Sequence, residues 1–454
     1  MFNTHFTRSL SRIASRFLNL EKISSLLGLR RHVYFHTPDH YIDTHPILNF
    51  SLSQKGQKEG PLLNIFFLRP SQTKQTGECW SNWGQGLLAS NKKYYFAVGN
   101  HLEESGRGDT YLYEYSPEAR SLATKFHLRQ ITRDPAVACG KIHGHICEGR
   151  DHNIYFASYW GQELMDEIKS GRFLGTALYK LNPAADKAEY LGLLSRGAVA
   201  RAAKLYLPSM WFYTLTLPEH RLIIYDLDSN RLAYTSREKF KFEEHDLCID
   251  DQGNALLVLI GGQLAVFKKE ERRIEVTPFN LKKSLKPWKP VKHSLLRSPF
   301  MRTSNFLFPD SSMLGLTNEG RLFSYTLKDR ILRDYGDIFP KPAYTASAAL
   351  SQNQRYLYFI PGSLKEASLL GVPLVRFDIK SQSRKTLMQL GNVFREAFHY
   401  KIGGAFSTSI HPNQKELFLV CNGCSLKGLH MHNCPPYGQP VFIHMIFGES
   451  ELGE

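Results

Sequence analysis

The chain has 454 residues, 42% of them apolar and 12% aromatic, an apolar share that excludes a largely disordered polypeptide. With 57 basic against 42 acidic residues the net charge is +15, which favours anionic partners such as acidic sugars or lipid headgroups. The basic residues are scattered and no nucleic-acid-binding module accompanies them, so nucleic acid is not the expected partner.

In chain order, residues 5–29 come first. Phe6, Leu10, Ile13, Phe17 and Leu20 recur at helical spacing while Arg8, Arg12 and Arg16 form a basic stripe, which predicts a basic amphipathic helix. No apolar run there reaches the ~18 residues of a membrane span. Three roles fit such a helix: packing on the rim of the following domain, peripheral contact with a membrane surface, or organelle targeting. Helix and linker together are expected over 1–60.

From residue 61 to 447 one phrase repeats. A short apolar strand, a polar turn, an aromatic-rich strand, a loop and another strand recur roughly every 45 to 60 residues, the period of four-stranded propeller blades. The second strand of each unit reads Tyr94–Val98, Ile154–Ala157, Trp211–Leu215, Leu256–Leu259, Met313–Leu316, Leu357–Ile360 and Leu417–Val420. Blades are expected at about 84–127, 139–194, 199–238, 242–281, 300–338, 344–390 and 403–447, with six or eight blades as the alternatives. The fold class is therefore all-β, a propeller of seven four-stranded blades. Leu62–Leu68 reads as a strand without a blade of its own, expected to complete blade seven and close the ring. Residues 448–454 form a tail.

In a propeller the first strand of each blade faces the central channel. The segment Gly140-Lys141-Ile142-His143-Gly144-His145-Ile146, read as a strand, places Lys141, His143 and His145 on one side by period-two alternation. Alignment of the blades brings Arg201, the His245-Asp246 pair, Arg302 and Thr345 to similar heights, and Asn100 and His101 near the rim. Two functions follow. In the first, a non-enzymatic binding propeller recognises an anionic small molecule, an acidic carbohydrate or a protein at the channel face, with Asn100, His101, Asp246 and Arg302 as ligand-binding residues. In the second, a divalent metal (Mn, Fe or Zn) on His143, His145 and His245 assists a lyase or hydrolase acting on acidic carbohydrate, with His143, Lys141 and Arg201 as catalytic residues. The alternative for the histidines is hydrogen bonding to carbonyls in the channel.

Seven cysteines, an odd number without a regular framework, point to reduced thiols and a cytoplasmic location. Cys421, Cys424, His430, His432 and Cys434 have the donor types of a zinc site, or else belong to a loop with free thiols.

Several phrases resemble a family of bacterial seven-bladed propellers similar in architecture to oligogalacturonate lyases and surface-layer-type propellers. They are Gly108–Tyr115, Gly140–His143, Tyr356–Gly362 and Gly371–Asp378. The resemblance spans about 84–447 and implies the propeller fold and a functional role for His143. The chain departs from the family at Ser363-Leu364-Lys365, where the family has His-Gly after the Pro-Gly of blade six, so chemistry resting on that histidine is not implied here.

Overall fold

The computed structural model describes residues 48–51 (backbone only), 61–68, 80–100, 108–132, 134, 136–159, 174–243, 245–285, 299–308, 310–362, 367, 370–425 and 438–448. They form seven sheets in sequence order, as the repeat predicts, antiparallel except where Val137–Ala138 runs parallel to Gly175–Asn182 in blade two. The second strand of each blade lies between two neighbours in its sheet and between two sheets. Its residues therefore read as an unbroken apolar run: all six of Tyr94–Gly99 and all six of Ser312–Thr317 are buried. The outermost strand is covered on one side only, and Ser383–Gln389 is largely exposed.

The hairpin between first and second strands carries a residue with positive φ in every blade: Lys92, His152, Met210, Gly253, Ser311, Gln354 and Gln414. The tight reversal needs one left-handed residue, and only blade four supplies glycine for it. In blade seven the turn is fixed further, because the Asn413 amide donates to His411 Nδ1 at 3.0 Å.

The sheets close into a ring. Each pair of neighbouring blades shares its own apolar cluster, from Phe126 and Phe156 between blades one and two to Leu316 and Phe359 between five and six. Leu62–Phe67 pairs antiparallel with Val441–Ile446, so the strand that precedes blade one lies within blade seven. Across that seam Tyr94 stacks on Phe418 at 4.9 Å and Phe96 on Phe442 at 5.0 Å, and Phe66 packs edge-on to Tyr115 at 5.4 Å. Leu48–Ser51, in the stretch expected to be linker, pairs antiparallel with Leu62–Phe67 as a fifth strand of blade seven. The N-terminal helix expected over 5–29 lies outside the described residues. Among the described residues no helix is long and apolar enough to cross a membrane.

Candidate functional site

The first-strand segments of adjacent blades meet at the hub at backbone distance. A Cβ on Gly144 would lie 2.6 Å from the Ala203 Cβ, and one on Gly84 2.6 Å from the Gly144 carbonyl, so only glycine fits at either crossing. The stretch expected as one strand over 140–146 is irregular: regular pairing is confined to Cys147–Glu148, and Lys141 and His145 make single bridges to Tyr159 and Gln85. Strict alternation therefore does not set the side-chain directions. Lys141 is buried with its ammonium over the rings of Trp83, at 4.5 Å, and Tyr159, at 4.6 Å, while His143 and His145 line a pocket.

The enclosed space of that pocket is about that of a single water molecule, well below the usual size of ligand sites, and the rest of it opens to solvent. Every blade but the third lines it: Trp83 and Gln85, His143 and His145, His245 and Asp246, Arg302 and Thr303, then Ala346 and Phe406. Blade three borders it through Arg201, whose carbonyl accepts from His143 Nδ1 at 3.0 Å. The residues expected to converge from distant parts of the sequence (Lys141, His143, His145, Arg201, His245, Asp246 and Arg302) are thus neighbours. Asn100 and His101 are not among them. Asn100 is buried in its own hairpin, where its Oδ1 accepts from the Asp109 amide at 2.9 Å, and His101 lies outside the described residues. Thr345 is buried without lining the pocket.

The electrostatics are lopsided. Burial depresses the pKa values of Lys141, His143, His145 and His245 well below their ordinary values. Arg201 and Arg302 push in the same direction on Lys141, His143 and His245, and Lys204 and Arg302 do so on His145. Among the described residues, Asp246 is the one carboxylate lining the pocket. Its Oδ2 already accepts from Lys204 Nζ at 3.2 Å and Ser304 Oγ at 2.8 Å. Arg302 is 6% exposed; its Nε donates to the Tyr344 hydroxyl at 2.6 Å, and its guanidinium lies over the Tyr344 and Phe406 rings. Three buried atoms of pocket residues have no hydrogen-bond partner within the protein: Arg302 Nη2, His245 Nδ1 and Asp246 Oδ1. Each such group costs about 1–3 kcal/mol unless something satisfies it.

The metal reading does not fit this donor set. Among the described residues no group of three or more His, Cys, Asp or Glu side chains is placed to hold an ion. His143 Nδ1 is committed to a carbonyl, the His143 and His245 ring centroids are 6.4 Å apart, and His145 Nε2 stands 3.8 Å from Asp246. Two permanent guanidinium charges beside these rings also oppose a divalent cation. At the late cluster, Cys421 is a buried free thiol and Cys424 is disulfide-bonded, which removes it from a zinc set and departs from the expectation of reduced thiols throughout. His430, His432 and Cys434 lie outside the described residues.

Sequence reasoning passed over Trp83, Gln85 and Phe406. A signal was present for the first two: Trp83 and Gln85 stand at the same distance before the left-handed Lys92 as His143 and His145 stand before His152. Starting blade one at 84 cut that register in half. Phe406 carries no comparable mark, because in its strand, Tyr400–Ile410, it stands between the small residues Gly403-Gly404-Ala405 and Ser407-Thr408-Ser409 with no titratable side chain beside it.

No family model and no curated protein matches the sequence, so the affiliation with lyase-like propellers has no match behind it. Solved structures similar in shape include the crystal structure of the RRP9 WD40 repeats, at 9% identity and a TM-score of 0.47, covering 84% of this chain and 97% of that one. Another is the crystal structure of the mitotic checkpoint complex, at 9% identity and a TM-score of 0.42, covering 62% of this chain and 72% of that one.

Proposed function

We propose that this protein is a non-catalytic binding propeller that takes a small anion in the pocket at its hub. The observation that carries the reading is Arg302 Nη2, a buried cationic donor without a partner, at a pocket with Arg201 and Lys204 beside it and Asp246 as the one carboxylate among its described lining residues. A buried guanidinium left unmatched is costly, and an anion arriving there supplies both the charge and the acceptor. The aromatic walls, Trp83 and Phe406, keep water from competing for that bond. Among the described residues, metal-assisted elimination on acidic carbohydrate finds no ion-holding group to start from.

The test is thermal unfolding in propionate and in phosphate against chloride at equal ionic strength. A ligand at a hundredfold excess over its Kd adds about 2.7 kcal/mol, a clear rise in Tm. The rise is expected in the natural protein and absent in Arg302→Met. Equal curves in all three salts, or an undiminished rise in Arg302→Met, would overturn the reading.

A further inference from the structure

The outermost strand of a blade leaves a row of backbone N–H and C=O groups unpaired on its outer side. Blade seven shows what such an edge accepts: Leu48–Ser51 lies antiparallel on Leu62–Phe67 as a fifth strand. Among the described residues, the corresponding strand of blade six, Ser383–Gln389, ends its sheet. Other outer strands neutralise or interrupt themselves. Lys125 in blade one pairs with Asp186, Lys187 in blade two with Glu189, and Asp334 in blade five with Arg321. Pro278 removes a donor from the blade-four strand, and the blade-three strand, Arg231–Thr235, is short and holds one cation. Blade six differs. Ser383–Gln389 carries Arg384 and Lys385, both exposed, and no acid. Lys385 stands directly opposite Arg376 on the adjacent strand, a like-charge pair. The one carboxylate of that adjacent strand, Asp378, is committed. Its Oδ2 accepts from Arg355 Nε at 2.9 Å and Nη2 at 2.7 Å, and its Oδ1 from the Lys380 and Ser381 amides.

We propose that the outer edge of blade six is a docking site for an extended acidic peptide, which adds to the sheet as a fifth strand. Backbone hydrogen bonds to the edge supply the pairing, and the charges choose the partner. Successive residues of a strand point to opposite faces, so Arg384 and Lys385 project on the two sides of the sheet. A matching strand sets two consecutive carboxylates beside them, one on each side. The carboxylate beside Lys385 also relieves its repulsion from Arg376. The same charges reject the wrong partner. A second copy of this strand brings cations and no acid, so edge-to-edge pairing of two copies adds repulsion. The site is independent of the hub pocket.

The probe is a fluorescein-labelled Thr-Val-Glu-Glu-Val-Thr peptide, titrated with the full chain and read by fluorescence anisotropy. It should bind at low salt and more weakly as salt is raised. In the double variant Arg384→Glu/Lys385→Glu, affinity should fall about tenfold or more. Arg231→Glu/Arg237→Glu makes the same change of charge on exposed residues of blade three and should alter affinity by less than about twofold. Only alternate amides of an added strand face the edge, so methylating one alternate set of the peptide's backbone nitrogens should abolish binding. No binding to the natural protein would overturn the proposal. An equal loss in the blade-three variant would overturn it too, by reducing the effect to net charge. Binding that survives methylation of either set would leave a basic surface without strand pairing, and the docking mode would fall. The methylated peptides need no variant, so they decide even where a charge reversal disturbs folding.

Discussion

Two buried histidines in this ring sit in opposite circumstances. His444, on the third strand of blade seven, is 1% exposed and both of its nitrogens are engaged. Nε2 lies 2.7 Å from Glu416 Oε2, and Nδ1 is 2.9 Å from the Tyr115 hydroxyl and 3.1 Å from Asn64 Nδ2. These partners come from blade seven, from blade one and from the strand that closes the ring, so the imidazole joins the seam. His245 at the hub is 6% exposed, stacked on Phe300, and has an open Nδ1. Burial is nearly equal; satisfaction is not. Hydrogen bonds are completed at the seam, whereas at the hub some buried polar atoms are left unmatched within the protein.

The same substitution at both positions sharpens this contrast most. His444→Phe removes the acceptor of two donors and the donor to Glu416, and should cost about 2–4 kcal/mol in urea unfolding. His245→Phe deletes an unmatched polar atom in an aromatic setting and should change stability by less than about 1 kcal/mol. An equal loss at both sites would break the comparison.

Gly144→Ala comes next. The added methyl meets Ala203, at 2.6 Å from its Cβ, and overpacking of this kind costs about 1–3 kcal/mol. Because Gly144 separates His143 from His145, the variant should also lose small-acid binding, which calorimetry would show. Unchanged binding in a folded Gly144→Ala protein would mean that the hub is more pliable than its backbone crossings indicate.

Arg302→Met should leave the ligand-free protein as stable as before or slightly more so, by up to about 1 kcal/mol, because a buried cation with an orphaned donor is replaced by an apolar chain. A clear loss of stability would show that Arg302 is a structural residue.

A further effect is in pH. Above about 6.5, the ordinary value for histidine, the pocket histidines are neutral both folded and unfolded, and no difference arises. Below it the unfolded chain takes up protons that the buried rings refuse, since their folded values are depressed. Stability should therefore fall as the pH drops from 6.5 towards those lower folded values, by at most about 1.4 kcal/mol per pH unit for each histidine. His245→Phe should flatten the slope of urea midpoints between pH 7 and 5.5. An unaltered slope would remove His245 from the titrating set.

The chain's local chemistry carried a good deal of this. Alternation and turn residues repeat with the blades, and Met313–Leu316 and Leu357–Ile360 could be read as buried strands because a strand covered on both faces must be apolar throughout. The histidines and arginines of the hub were legible as residues of the first strands. Asn100 was misplaced because position after a strand does not reveal that a side chain turns back to hold its own hairpin. The zinc reading of the late cysteines failed for a similar reason: residues three apart on a strand face opposite sides, and Cys421 and Cys424 have different fates.

By itself, then, the sequence determined the blade, its repetition and the residue types that reach the channel, since these follow from periodicities of two and from turn chemistry within a few tens of residues. Tertiary structure alone decided which polar atoms at the hub are matched and which are left open. Lys204 and Ser304 claim one oxygen of Asp246, and Tyr344 claims one nitrogen of Arg302. Those partners come from the neighbouring blades, 42 to 58 residues away, and pairing between them is set by how adjacent sheets pack, to which no local pattern has access.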